Sequence, residues 1–179
     1  MSPLLRLATL DDLAPLEPLM KASIRTLSEG FYDEVQAEAA EQFIAVPDPD
    51  VIVDGTYFVV EAEGKLVACG GWSRLQKLFT GTTDQEDLPG GKLDPAVDSA
   101  RIRAMFVHPD FARLGFGKLI YEACERAARE CGFLSLELMA TLPGVPFYRR
   151  LGFLDVEKAD LILPNGVVLP CLKMRKVLG

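Results

Sequence analysis

The chain has 179 residues, 49% of them hydrophobic and 25% charged, with a net charge of −7. That length supports a domain with a real core, and the composition is that of a globular protein, not a disordered one. The charge argues against the basic footprint of a nucleic-acid binder, and no apolar run reaches the ~18 residues of a membrane helix.

The start, Met1-Ser2-Pro3-Leu4-Leu5-Arg6, lacks the charged, apolar and small-residue regions of a secretion signal, so the expected location is the cytoplasm. Cys69, Cys124, Cys131 and Cys171 form no C-x-x-C pair and His108 is the sole histidine, so no zinc site is expected. All four cysteines read as buried free thiols.

Residues 4–8 read as a short apolar strand. Thr9 then suits a helix cap, with Asp11 and Asp12 where carboxylates favour an N-terminus. Leu13, Leu16, Leu19, Met20, Ser23, Ile24 and Leu27 recur at helical spacing, which predicts an amphipathic helix over 10–27, with Pro15 and Pro18 in its first turns. Ser28-Glu29-Gly30 breaks the pattern. A second helix follows over 34–45, ended by Pro47-Asp48-Pro49-Asp50.

Residues 56–62 and 66–73 flank a Glu63-Gly64-Lys65 turn and read as a β-hairpin, and the Gly70-Gly71 pair predicts a bulge or a close backbone approach. Residues 75–98 read as an irregular insertion. Next come a strand over 100–107, a glycine loop, a helix over 115–131 with Cys131 inward, and a strand over 133–139. That order implies parallel pairing through a right-handed crossover. A short helix through Phe147-Tyr148-Arg149-Arg150-Leu151 precedes strands over 153–156 and 167–176. No repeat or linker divides the chain, so 1–179 reads as one domain.

The chemistry concentrates at Val107-His108-Pro109-Asp110-Phe111-Ala112-Arg113-Leu114-Gly115-Phe116-Gly117-Lys118-Leu119-Ile120. A strand runs into a loop with two glycines and then into a helix. Backbone N–H groups and the positive end of the helix dipole converge there, which suits a phosphate. Spacing excludes two phosphate sites. A dinucleotide fingerprint needs a third glycine where Ile120 stands. A P-loop needs glycine at Ala112 and a hydroxyl after Lys118, where Leu119 stands.

The run from Val107 to Ile120 resembles the acetyl-CoA-binding motif of the GNAT superfamily of N-acetyltransferases, Gln/Arg-x-x-Gly-x-Gly/Ala at a strand-to-helix junction. Phe147-Tyr148-Arg149-Arg150-Leu151-Gly152-Phe153 resembles the family's second signature, and the order of elements fits over almost the whole chain. The resemblance implies an α/β fold: one mixed, twisted sheet flanked by helices on both faces. It implies acetyl-CoA as cosubstrate, with the N–H groups of Arg113, Leu114, Gly115, Phe116, Gly117 and Lys118 on its pyrophosphate and the edge of Met105-Phe106-Val107 along its pantetheine arm. Tyr148 would protonate the departing thiolate while an amine attacks the thioester directly. The family often carries Asn after the fifth strand; here Thr141 takes that place, and Ala112 takes the Gln/Arg position.

Glu137 is a candidate base, alongside a carboxylate acting through water or solvent itself. His108, the sole histidine, is a further candidate but sits at the phosphate end of the strand. Ser23, Arg25, Tyr32, Trp72, Ser73, Arg101 and Arg103 are candidates for the acceptor pocket, among which Tyr32, Trp72 and Arg103 are preferred; Arg103 would suit an acceptor that carries a carboxylate. The expected reaction is N-acetylation of a small-molecule primary amine. Acetylation of a protein or peptide and a non-catalytic acetyl-CoA sensor are the alternatives. Family members are often dimers, so a homodimer is an open expectation. No metal, nucleic-acid or membrane partner is expected.

Overall fold

A computed structural model describes residues 2–76 and 91–179. Its strands are β1 (Leu4–Leu7), β2 (Tyr57–Ala62), β3 (Lys65–Ser73), β4 (Ala100–Val107), β5 (Ser135–Thr141), β6 (Leu154–Ile162) and β7 (Val168–Val177). Its helices are α1 (Leu13–Leu27), α2 (Glu34–Phe43), α3 (Pro49–Val53), α4 (Phe116–Glu130) and α5 (Val145–Arg150). The strands form one open sheet in the order β1-β2-β3-β4-β5-β7-β6. Every neighbouring pair is antiparallel except β4–β5, which is parallel with α4 as its crossover.

Both faces of the sheet carry helices because the strands alternate. On one face Leu136, Leu138 and Ala140 of β5 and Met174 of β7 pack with Ile120, Cys124 and Ala128 of α4. On the other, Val59, Cys69, Leu169 and Cys171 pack with Leu16, Leu19 and Met20 of α1 and Ala39 and Ala40 of α2. Each such fully buried aliphatic side chain contributes about 1.5–3 kcal/mol, and these two layers fix the sheet between them.

Several local details differ from the expectations. The first helix starts as a 3₁₀ turn at Leu10–Asp12 and runs on through Pro18. Asp12 accepts from the Thr9 N–H at 2.7 Å and pairs with Arg6 at 2.8 Å, so its carboxylate caps and anchors at once. The segment read as a terminator contains α3, because Asp48 accepts from the Asp50 N–H and Pro49 opens the first turn. Strand β6 runs on to Ile162. Its Glu157, Lys158 and Asp160 disguise it, since an edge strand keeps charges in solvent. Cys131 is exposed at the C-cap of α4, where the inward stripe has already ended; the other three cysteines are buried. The expected 75–98 insertion falls mostly on residues 77–90, outside the described residues. No helix among the described residues is long and apolar enough to cross a membrane.

Candidate active site

The site begins with a fault in β4. Gly71 pairs with Arg103 and Cys69 with Phe106, so Ala104 and Met105 together oppose Gly70. Ala104 takes a φ of 49°, the left-handed region, which is the geometry of a bulge. Gly70 is needed opposite: a Cβ there would lie 2.6 Å from Met105 Cγ. The glycine pair therefore marks both the bulge and the close approach that the sequence predicts.

Past this fault β4 and β5 separate. They pair only at Ala100–Leu136 and Arg101–Glu137, whereas β5 stays paired to β7 as far as Thr141–Cys171. A gap therefore opens between residues 102–107 and 138–141. Its floor is a cleft of about 540 Å³.

At one end of the cleft lies the glycine loop. Arg113 and Gly115 both have positive φ, 64° and 88°, and nothing lies within 4 Å of a Cβ placed on Gly115. Alternation of left- and right-handed residues turns successive N–H groups to one side, as in an anion nest. Among the described residues, none of the N–H groups of residues 113–118 donates to a protein acceptor. They point from the N-terminus of the 15-residue α4, where partial positive charge adds to them. Gly117 lets Phe147 and Val107 approach, each within 3.4 Å of where its Cβ would be.

The same cleft is lined by Met105, Phe106, Val107, Thr141 and Tyr148. The Tyr148 ring is held edge-on by Phe147 and Phe153, with centroids 5.2 and 5.7 Å away. Among the described residues its hydroxyl has no hydrogen-bond partner. Burial pushes this phenol above its ordinary value of 10.0, so it stays a proton carrier and donor.

The far end is walled by Ser23, Ile24, Leu27 and Ser28 of the first helix and its cap, and by Tyr32. Tyr32 is a brace. Its hydroxyl donates to the Pro170 carbonyl at 2.6 Å and accepts from the Leu142 N–H at 2.9 Å. Gln36 of α2 adds a bond to the Val168 carbonyl at 3.2 Å. The α1–α2 turn is thus tied to β7 and to the end of β5.

Several of the sequence candidates lie elsewhere. Glu137 sits at the closed end of the β4–β5 seam, paired with Arg101 and, at 3.1 Å, with Lys173, and it does not line the cleft. Trp72 packs into the core against Phe133. Arg103 is buried and pairs with Asp48 at 3.0 Å. Leu114 is 63% exposed and turns its side chain to solvent, although its backbone N–H belongs to the loop. His108 accepts from the Asp110 N–H through Nδ1 and stays outside the cleft. Sequence reasoning missed Ile24, Leu27, Ser28 and Gly144 as wall residues. Only the Ser28-Glu29-Gly30 break signalled where that wall turns.

Among the described residues, no carboxylate lines the cleft. The buried thiols are poor nucleophiles, since burial pushes Cys69 and Cys171 up to about 12 and raises Cys124 as well.

The fold is shared with solved structures. A GCN5-related N-acetyltransferase from Rhodopseudomonas palustris, named there as an aminotransferase of class II, is 22% identical over 99% of this chain and 97% of its own, with a TM-score of 0.74. The PaiA N-acetyltransferase from Thermoplasma acidophilum, solved in complex with coenzyme A, is 16% identical over 99% of both chains, with a TM-score of 0.69. A ribosomal-protein-alanine N-acetyltransferase from Brucella melitensis is 20% identical over 98% of this chain and 99% of its own, with a TM-score of 0.62. At these identities the likeness is one of fold. No curated protein matches the chain. The model of the Acetyltransferase (GNAT) family matches residues 17–153, a span that takes in both the glycine loop and the Tyr148 helix. The chain therefore belongs to the GNAT family and is an N-acetyltransferase.

Proposed function

We propose that the protein transfers the acetyl group of acetyl-CoA to the primary amine of a small molecule by direct attack. One observation carries the reading: a single cleft holds the N–H groups of residues 113–118 and the Tyr148 hydroxyl, none of them with a hydrogen-bond partner among the described residues, and is walled by Ser23, Ile24, Leu27 and Tyr32.

The residues fit acetyl-CoA. The six N–H groups and the side chains of Arg113 and Lys118 suit its pyrophosphate. The open edge of β4 at Met105–Phe106–Val107 offers backbone groups to an amide-bearing arm, as an added strand would use them. Thr141 offers a hydroxyl from the opposite side. The bound cosubstrate supplies an activated thioester.

In the transfer, the amine nitrogen forms a bond to the acetyl carbon as the carbon–sulfur bond breaks. Tyr148 gives its proton to the departing sulfur and regains one from solvent. The amine attacks as the neutral base, and the proton that its nitrogen loses on forming the amide passes to water. Most of the acceleration comes from holding the two reactants together and from N–H groups facing the developing charge. The absence of an activated buried thiol supports direct transfer over an acetyl-cysteine route.

The Tyr32 and Gln36 bonds support a small acceptor. They hold the α1–α2 turn and α2 against β7, which leaves less room there for an extended chain. A thiol-release assay with acetyl-CoA, run against small primary amines and against peptides with free N-termini or lysines, tests the choice. Turnover with the small amines supports the proposal; turnover confined to peptides would replace it with protein acetylation.

A further inference from the structure

We propose that Tyr57 is a positioning residue for acetyl transfer, holding the bulged peptide of β4 so that the Met105 N–H faces the reacting carbonyl. This rests on the acetyl-transfer reading and goes beyond it, because Tyr57 lies outside the cleft, on the second strand.

At φ 49° Ala104 leaves the regular β4 pairing, and its backbone oxygen must find another partner or stay unsatisfied in the core. Tyr57 supplies that partner. Its side chain, 2% exposed, crosses from β2 beneath β3, and its hydroxyl donates to the Ala104 carbonyl at 2.7 Å. The crossing requires glycine in between. A Cβ on Gly71, the residue paired with Tyr57, would lie 2.6 Å from Tyr57 Cδ2. Gly70 and Gly71 thus serve two sides of one device: Gly70 admits Met105, and Gly71 admits the tyrosine that holds the peptide before it. The preceding residue is anchored as well, through the buried Arg103–Asp48 pair.

A trans peptide is planar, so its N–H and C=O point in opposite directions, and no cis peptide occurs among the described residues. With the Ala104 oxygen drawn toward Tyr57, the Met105 N–H is turned the other way. Met105 itself lines the cleft. A donor fixed in advance is worth more to a developing negative charge than one that must rotate into place. Tyr57 never touches the substrates in this account; it acts through the peptide it holds.

The test is Tyr57→Phe, which keeps the ring and removes the one hydrogen bond. Losing a direct donor of this kind costs about 10²–10³ in kcat, so losing its support should cost about tenfold, with KM for acetyl-CoA and for the amine within about twofold. A kcat within twofold of wild type overturns the proposal. So does a fall in kcat matched by a proportional rise in KM, the mark of general loosening. A second measurement needs no variant. In the wild-type protein the Met105 amide resonance should move further on adding acetyl-CoA than on adding CoA, while the Ala104 amide moves little. An unmoved Met105 amide overturns the proposal even where no amine acceptor has been found. Absence of turnover with every amine, beside a shifted Met105 resonance, would instead fault the choice of acceptor.

Discussion

The two ends of the β4–β5 seam do opposite work. At the closed end, Arg101 and Lys173 both pair with Glu137 across three strands, and Ser99 and Ser135 share a hydrogen bond at 2.6 Å. At the open end, a phenol and six backbone N–H groups have no hydrogen-bond partner among the described residues. Charge density alone points to the closed end, where Glu137 looks like a base. Hydrogen-bond accounting points to the open end. N–H groups at a helix N-terminus that face a cleft without protein acceptors suit an anionic ligand.

Damage to the open end should be the most severe. Gly115→Glu puts a side chain on a residue with φ 88° and a carboxylate beside the N–H nest, and should weaken acetyl-CoA binding by more than about 10², read by calorimetry. Unaltered affinity would remove the loop as the pyrophosphate site. Next is the brace. Tyr32→Phe strips the Leu142 N–H and the Pro170 carbonyl of their partner and should cost about 1–3 kcal/mol in denaturant unfolding. If Tyr32 shapes the acceptor pocket, the acceptor's KM rises while that of acetyl-CoA holds.

A region remote from both ends provides a pH control. The Arg6 guanidinium lowers the Asp12 carboxyl from 3.8 to about 2. A carboxyl depressed on folding stabilises the protein above its unfolded value. That share, about 2 kcal/mol, is lost as the pH falls from about 4 to 2. Asp12→Asn should flatten this part of the stability profile; an unchanged acid slope would mean that Asp12 is not its source. The smallest effect on turnover belongs to the closed end. Glu137→Gln should lower stability by about 1–3 kcal/mol yet leave kcat within twofold. A large fall in kcat would restore Glu137 as the base.

These contrasts also explain what the residues disclosed in advance. The glycine loop was legible because its signal is local: Gly115 and Gly117 stand at a strand–helix junction within a few residues of each other. Tyr148 was legible through the Leu-Gly-Phe segment that follows it. The bulge was half legible, since its glycines lie on β3 while the unusual conformation belongs to Ala104 on β4, whose side chain betrays nothing. Pairings distant in sequence were invisible. Arg103 finds Asp48 55 residues away, and Glu137 is 36 residues from each of Arg101 and Lys173, which turns two candidate functional charges into structural ones. Trp72 went the same way for a simpler reason: an aromatic beside a bulge fills the core as readily as it lines a pocket.

The central claim is that Tyr148 serves the chemistry of the open end and not its architecture. The direct test is Tyr148→Phe, measured twice on one preparation: turnover by thiol release with a small amine that the wild type accepts, and acetyl-CoA affinity by calorimetry. The account predicts a fall in kcat of about 10² with affinity within a few-fold. Wild-type turnover in the variant would contradict it.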